Sequence, residues 1–532
     1  MSTNASAEMG ANPGGSQDAG FFRASLQQGM VPTEDSVSVE GFLSEHTIAS
    51  PAGECEEVLC LSGAIVHDTS VSENDKATLI HLGMGSNIDL ATRPRVPLNL
   101  AVVVDVSGSM QEAGKLEYVK AGLLLMLEEL QPTDRLAIIT YSTEAQILVP
   151  SQLMEEKESF EFAVRGLMPN GSTNLHGGMM LGYQELEKHV SGDVLSRLML
   201  LSDGLANRGE IDPEMIVSDS KHYNDQGIGI STIGVGMDFN QDLMRSLSEQ
   251  GGGNFYFIED PAKASTVFQQ ELDFLLTPIA NNLKITLNLA DGFSHIDTFG
   301  LPRSWNGSNQ LVVEVPTVFA SRKSGAMLIR VQYEAEIESF RNGAVLDMAY
   351  SYQPIAEDGT VQDSVQLINE VTMPTQNQEN YRLYDTEGSL KAMVLWNMVS
   401  TFKAASREYH NGSHHRALEL IESLAAYVDD ANQLLEDKEL SQDRNQLINL
   451  YAINLGGWVG EPYGEYGCYE EDSNGCYYGE HGYYGDDYYL YGCSSTGSDF
   501  PAWGTLGLML MVASRLRRRR GVVPARRRRH GH

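Results

Sequence analysis

Positive charge is in short supply against negative charge in this sequence. Its 532 residues carry 37 Lys and Arg against 72 Asp and Glu, a formal net charge of -35. Nine of the cations are tail arginines, Arg515, Arg517 to Arg520 and Arg526 to Arg529, so the rest of the chain stands near -44. A surface that acidic argues against nucleic acid as a partner, because phosphates need facing cations. It suits divalent cations or basic partners. Cysteine is also scarce. Cys55 and Cys60 stand five apart, Cys468 and Cys476 eight apart, and Cys493 is left over. Neither pair has a second pair beside it at zinc-ligand spacing, which argues against a zinc site. Two local disulfides with one modified cysteine fit an oxidising compartment, and five free thiols are the alternative reading. Long apolar runs are missing too. Met1 to about Gly20 is rich in Ser, Ala, Asn and Gly and has no apolar segment, so it does not read as a secretory signal and is expected to be disordered. Phe500 to Ser514 is apolar but short of the roughly 20 residues of a spanning helix. The arginines after it extend its reach by snorkelling. Two signatures of catalysis are absent: a Gly-x-Ser-x-Gly elbow and a phosphate-cradling Gly-Lys-Ser/Thr loop.

What is present divides the chain into segments. Residues 1–20 are the polar N-terminus, and 21–96 read as a β-rich extension with a short helix at Phe22 to Gln28 and alternation over Val37 to Glu40. Strand-like runs follow at Val58 to Val66, Ala77 to Leu82 and Ile88 to Leu90. Over 97–278 strands and helices alternate at the lengths of βα units, which predicts a doubly wound, mostly parallel sheet. Residues 279–375 return to alternating strands, such as Leu283-Lys284-Ile285-Thr286-Leu287, and imply a sheet with one wet face. These strands and residues 50–96 are expected to form one β-sandwich, with the α/β domain inserted between them. Residues 376–455 carry helical spacing, with a break at Asn411-Gly412-Ser413, and predict a helical hairpin. Residues 456–499 are Tyr, Gly and acidic residues with almost no aliphatic ones, which reads as a stalk. Residues 500–514 are the short membrane-span candidate and 515–532 the Arg-rich tail, on the cytoplasmic side by the positive-inside rule.

The chemistry concentrates after one strand. The run Leu98 to Val104 is apolar and β-branched and reads as a buried strand. Directly after it, Asp105-Val106-Ser107-Gly108-Ser109 sets one carboxylate and two hydroxyls at alternate positions on a turn. Gly171-Ser172-Thr173-Asn174 precedes a helix and offers the Thr173 hydroxyl. Ser202-Asp203-Gly204 follows another strand and offers the Asp203 carboxylate. In a doubly wound sheet all three loops fall at the carboxyl ends of strands, where such folds bind ligands. Five hard oxygen donors suit Mg²⁺, or Mn²⁺ or Ca²⁺. Two carboxylates balance the ion's charge, and an open coordination position would attract a third from a partner. Two histidine candidates are weaker. His410, His414 and His415 cluster at the helical break, where loop histidines are ordinarily solvated. His176 lies three residues from Thr173, but a metal-bound hydroxyl is a poor nucleophile, so no catalysis is expected.

The runs Val103 to Met110, Gly171 to Asn174 and Leu201 to Gly204 resemble the three parts of the metal-ion-dependent adhesion site of von Willebrand factor type A domains. The resemblance spans about Pro97 to Pro278 and implies Asp105, Ser107, Ser109, Thr173 and Asp203 as the metal set. Phe21 to Glu45 is similar to the N-terminal extension of a bacterial group of such proteins. Gly492-Cys493, the apolar run and the arginines resemble a C-terminal sorting signal of the myxobacterial type, which implies processing or lipidation near Cys493. The expected function is a surface-anchored, metal-dependent binding module in the cell envelope, engaging a protein that presents a carboxylate. An assembly or scaffold factor with a purely structural metal is the alternative.

Overall fold

In the computed structural model the described residues are 9–12, 19–51, 55–88, 95–191, 194–204, 206–259, 261–275, 278–301, 309–321, 326–335, 343–356, 360–373, 378–379 and 382–457. Residues 458–499 of the stalk, with Cys468, Cys476 and Cys493, the apolar run 500–514 and the arginine tail lie outside them. Among the described residues no helix is long and apolar enough to cross a membrane.

The α/β domain is a six-stranded sheet of β1 (Leu98–Asp105), β2 (Arg135–Tyr141), β3 (Ala145–Leu153), β4 (Leu195–Ser202), β5 (Ile228–Val235) and β6 (Gly252–Ile258). Its helices are α1 (Lys115–Glu129), α2 (Lys157–Arg165), α3 (Leu175–Glu187), α4 (Pro213–Asn224), α5 (Gln241–Gln250) and α6 (Pro261–Leu275). The strand order is β3-β2-β1-β4-β5-β6, all parallel except β3. Every residue of β1 is buried. Successive side chains of a strand point to opposite faces. Leu98, Leu100, Val102 and Val104 therefore join α1, α2 and α6 in one core, while Ala101 and Val103 join α3, α4 and α5 in the other. The order reverses at β1, between β2 and β4, and that switch point opens a crevice at the strands' carboxyl ends.

Strand β3 was not expected. Its apolar run Ile147-Leu148-Val149 is short and ends at Pro150, which argues against a strand, and most of its side chains are exposed. It pairs antiparallel at the sheet edge, where Pro150 is tolerated because an edge strand can spare a donor.

Among the described residues, strands from both sides of the α/β domain pair in one 11-stranded sheet. Asp75–Ser86 pairs with Cys60–Ser70 before the domain and with Ala326–Tyr333 after it, setting Ile80 opposite Ile329. One apolar core holds Leu61, Ile65 and Ile80 together with Ile285, Val313 and Met348. Within the segment expected to be disordered, Met9–Asn12 forms a strand between Asp75–Ser86 and Gln310–Ser321. Cys55 and Cys60 are disulfide-bonded, with Cα atoms 5.8 Å apart.

In the extension the expected short helix forms over Gly20–Gln27, and the segment read as alternating turns out to open a second helix, Val39–Glu45. The alternation at Val37 to Glu40 is too short to outweigh Ser38, whose hydroxyl accepts from the Gly41 N–H and caps the second helix. In the first, neighbouring rings face opposite ways. Phe21 meets Phe239 and Phe257 of the α/β domain, with centroids 5.6 Å away in each case. Phe22 meets Phe402 of the helical region at 5.1 Å. The helical region also begins later than residue 376. Gln378–Glu379 and Arg382–Tyr384 are short strands, the second continuing the sheet beside Cys60–Ser70. Thr386 and Ser389 then form a capping box, and the long helix Glu387–His410 turns at Asn411-Gly412 into His414–Leu435. Ile88, read as opening a strand, lies outside the regular elements, and residues 89 and 90 lie outside the described ones.

Candidate metal centre

Three loops meet where β1 and β4 end, and backbone hydrogen bonds lock them together. The Val106 N–H donates to the Tyr141 carbonyl at 2.9 Å, and the Val106 carbonyl accepts from Asn170 N at 2.6 Å. Gly108 N donates to the Gly171 carbonyl, joining the first loop to the second. The second loop is tied to the third through Asn207, whose Oδ1 accepts from Thr173 N at 2.9 Å and whose N–H donates to the Thr173 carbonyl. A rigid frame thus holds the side chains before any ligand arrives.

The five expected residues come together. Asp105 is fully buried. Its Oδ1 accepts from Ser107 N at 2.8 Å and its Oδ2 from the Ser202 hydroxyl at 3.2 Å. Ser107 Oγ and Ser109 Oγ are 3.0 Å apart, and Ser109 Oγ donates to Asp203 Oδ1 at 2.8 Å. Thr173 joins them at Gly204. A Cβ built on that glycine would lie 3.8 Å from Ser109 Oγ and 3.9 Å from Thr173 Oγ1, so both hydroxyls border the same space. Ser107, Thr173 and Asp203 are buried, and Ser109 is half-buried. Burial pushes the Asp105 carboxyl up to about 6, and the Asp203 charge adds to it against the pull of the Ser107 and Ser202 donors. A divalent cation would reverse that bias by favouring the ionised form.

The donor set itself tests which ion fits. Two carboxylates and three hydroxyls are hard oxygen ligands, with no imidazole or thiolate among them, and they match Mg²⁺, Mn²⁺ or Ca²⁺. Among the described residues no group of three or more His, Cys, Asp or Glu side chains could hold a metal. The histidine cluster does not assemble as one: His410 Nε2 is 3.2 Å from the Pro32 carbonyl, His414 stacks on Tyr409, and His415 is exposed. His176 Nε2 is 2.9 Å from Asp219 Oδ2.

Three contributors escaped the sequence reading. Ser202, at the end of β4, stood beside Asp203 in the motif without a role, and Asn207 was an ordinary loop residue. Lys115 carried a signal: a cation opening a helix opposes the helix dipole. Its Nζ donates to Asp203 Oδ2 at 2.9 Å and lies 3.5 Å from Asp238 Oδ2. Burial works to lower the Lys115 pKa, but the two carboxylates outweigh it and hold the group above its ordinary value.

Comparison with known proteins agrees with this architecture. The von Willebrand factor type A family profile matches residues 99–270. The uncharacterized protein YfbK of Escherichia coli is 28% identical over 267 residues, covering 49% of this chain and 46% of that protein. The uncharacterized protein sll0103 of Synechocystis is 31% identical over 196 residues, covering 37% of this chain and 46% of that protein. The chain thus spans about half the length of these curated relatives. Among solved structures, a von Willebrand factor type A protein from Catenulispora acidiphila aligns over 76% of this chain and 97% of its own, with a TM-score of 0.51 and 12% identity. That likeness extends the shared fold beyond the α/β domain into the flanking regions. The chain contains a von Willebrand factor type A domain over residues 99–270.

Proposed function

We propose that this chain is a protein-binding module that engages an acidic partner side chain through a divalent cation, Mg²⁺ first, held by Asp105, Ser107, Ser109, Thr173 and Asp203. One observation carries the reading: at the switch point of the sheet the Ser107, Ser109 and Asp203 side chains are in hydrogen-bond contact, Thr173 Oγ1 borders the same space as Ser109 Oγ, and the buried Asp105 carboxylate accepts from Ser107 N beside them. The cation would supply electrostatic attraction for a carboxylate. The chain's own residues do the rest. Ser107 N and Ser202 fix the Asp105 carboxylate, Ser109 orients one oxygen of Asp203, and Asn207 holds the Thr173 backbone. The role is non-catalytic, since hydroxyls bound to a hard cation are weak nucleophiles. Display at the cell envelope or surface, with a membrane anchor in the C-terminal segment, follows from the resemblance of the tail to a sorting signal.

The test has two parts. Calorimetric titration of the EDTA-stripped chain with Mg²⁺, Mn²⁺ and Ca²⁺ should show one site that Asp105→Ala abolishes. Pull-down from envelope extracts should then retain partners with Mg²⁺ and lose them with EDTA or with Asp105→Ala. A wild type that takes up none of the three ions, or capture indifferent to EDTA, refutes the metal-bridge reading. Protease shaving of intact cells that leaves the chain uncut refutes surface display.

A further inference from the structure

The ammonium of Lys115 is built into the site rather than laid against it. Its side chain is 6% exposed, and that of Asp203 is wholly buried. Gly114, at φ +75°, turns the chain into α1 and aims Lys115 inward. Gly236, also at φ +75°, clears a slot for it: a Cβ there would come within 2.6 Å of Lys115 Cε. Gly236 N is in turn fixed to the Ile258 carbonyl at 2.9 Å. A cation in the first turn of a helix is disfavoured by the dipole, and a buried ammonium is costly unless paired. The Asp203 carboxylate offsets both.

That pairing divides Asp203 between two tasks. Oδ1 faces the Ser109 hydroxyl and the metal space, and Oδ2 faces Lys115. The charge count follows. Asp105 and Asp203 neutralise a divalent cation, and Lys115 adds one positive charge. The partly compensating Asp238 is 74% exposed and so largely screened by water. A loaded site therefore carries net positive charge.

We propose that Lys115 is a positioning and charge-setting residue. It weakens the hold on the divalent cation and leaves the loaded site positive, so that an anionic ligand, a carboxylate, completes it. This rests on the metal reading above and specifies how the site favours its ligand. Two like charges a few ångströms apart at an effective dielectric of about 20 repel strongly enough to change affinity by about tenfold or more.

The experiment is titration of the metal-free full chain with Mn²⁺ alone, followed by electron paramagnetic resonance of the free ion. Lys115→Met should bind Mn²⁺ about tenfold more tightly than wild type. Lys115→Arg, which keeps the charge, should stay within about threefold. Asp238→Asn alters an exposed side chain and leaves the fold intact. It should weaken Mn²⁺ binding about two- to threefold, the opposite sign. A lysine that merely braces Asp203 predicts weaker binding in Lys115→Met and no effect of Asp238→Asn, and that result overturns the inference. If Lys115→Met does not fold, the Asp238→Asn and Lys115→Arg arms decide. A wild type that binds no Mn²⁺ overturns the metal reading and this inference with it, whereas a wild type that binds and variants that do not change its affinity overturn this inference alone.

Discussion

His81 offers a test of the 11-stranded sheet that is independent of any metal. It lies on the strand Asp75–Ser86, opposite Ala64 on one neighbour and Leu328 on the other. The side chain is 1% exposed, and among the described residues its Nδ1 has no hydrogen-bond partner. Burial pushes the imidazole down to about 4, from an ordinary value of 6.5. Above about pH 6.5 the group is neutral in both folded and unfolded chains, and stability does not depend on it. Between 6.5 and 4 the unfolded chain takes up a proton that the folded chain refuses, so stability falls as pH falls. Each pH unit separating the folded from the unfolded value is worth about 1.4 kcal/mol, so the full loss is about 3 kcal/mol, complete near pH 4. The assay is hydrogen exchange by mass spectrometry on peptides covering Asp75–Ser86 and Ala326–Tyr333, at pH 7.5 and pH 4.5, corrected for the intrinsic rate. Wild type should lose most of that protection energy, and His81→Leu should lose far less. Other histidines are common to both proteins and cancel in the difference. Equal losses in the two proteins would refute the reasoning.

Two further outcomes follow from single contacts. Gly122→Ala in α1 should destabilise the α/β domain although helix propensity alone favours alanine by about 1 kcal/mol. The new Cβ would fall 2.3 Å from Phe268 Cδ2 on α6, and such overpacking costs about 1–3 kcal/mol, so a raised melting temperature would contradict the packing described. Asp443→Ala should free the N-terminal helices. Its carboxylate accepts from the part-buried Arg23 Nη1 at 2.8 Å and lies 3.0 Å from His46 Nε2, and losing charge-assisted hydrogen bonds of this kind costs about 2 kcal/mol. Limited proteolysis within residues 20–46 should accelerate strongly, and unchanged cleavage would count against that anchoring role.

How much of this was legible depends on where each residue's constraint comes from. Asp105 was readable because a fully buried strand ends abruptly on a carboxylate followed by alternating hydroxyls, and burial leaves a strong pattern. Thr173 and Asp203 became readable only through the topology that brings three strand ends together. Lys115 was missed because its partner lies 88 positions away in sequence and nothing local announces the slot at Gly236. Edge strand β3 was missed because its apolar run Ile147-Leu148-Val149 is only three residues long and is followed by Pro150. Helix Val39–Glu45 was misread because four alternating residues carry less information than one capping serine. The bridging role of Phe21 and Phe22 could not be inferred from spacing, since two adjacent aromatics on a short helix do not say that they serve different domains.

The insertion of the α/β domain has a consequence in time. Ile80 and its partner Ile329 are about 250 residues apart along the chain. A ribosome adding roughly 5–20 residues per second needs roughly 10–50 seconds to cover that interval. During it the strand Asp75–Ser86 has its earlier neighbour Cys60–Ser70 but an open edge on the side that Ala326–Tyr333 will fill. Unpaired edges of this kind invite association with other chains. The α/β domain, whose sheet closes from strands entirely within residues 98–258, can fold inside that window. The metal-site loops would then be in place while the flanking sheet is still waiting for its last strands.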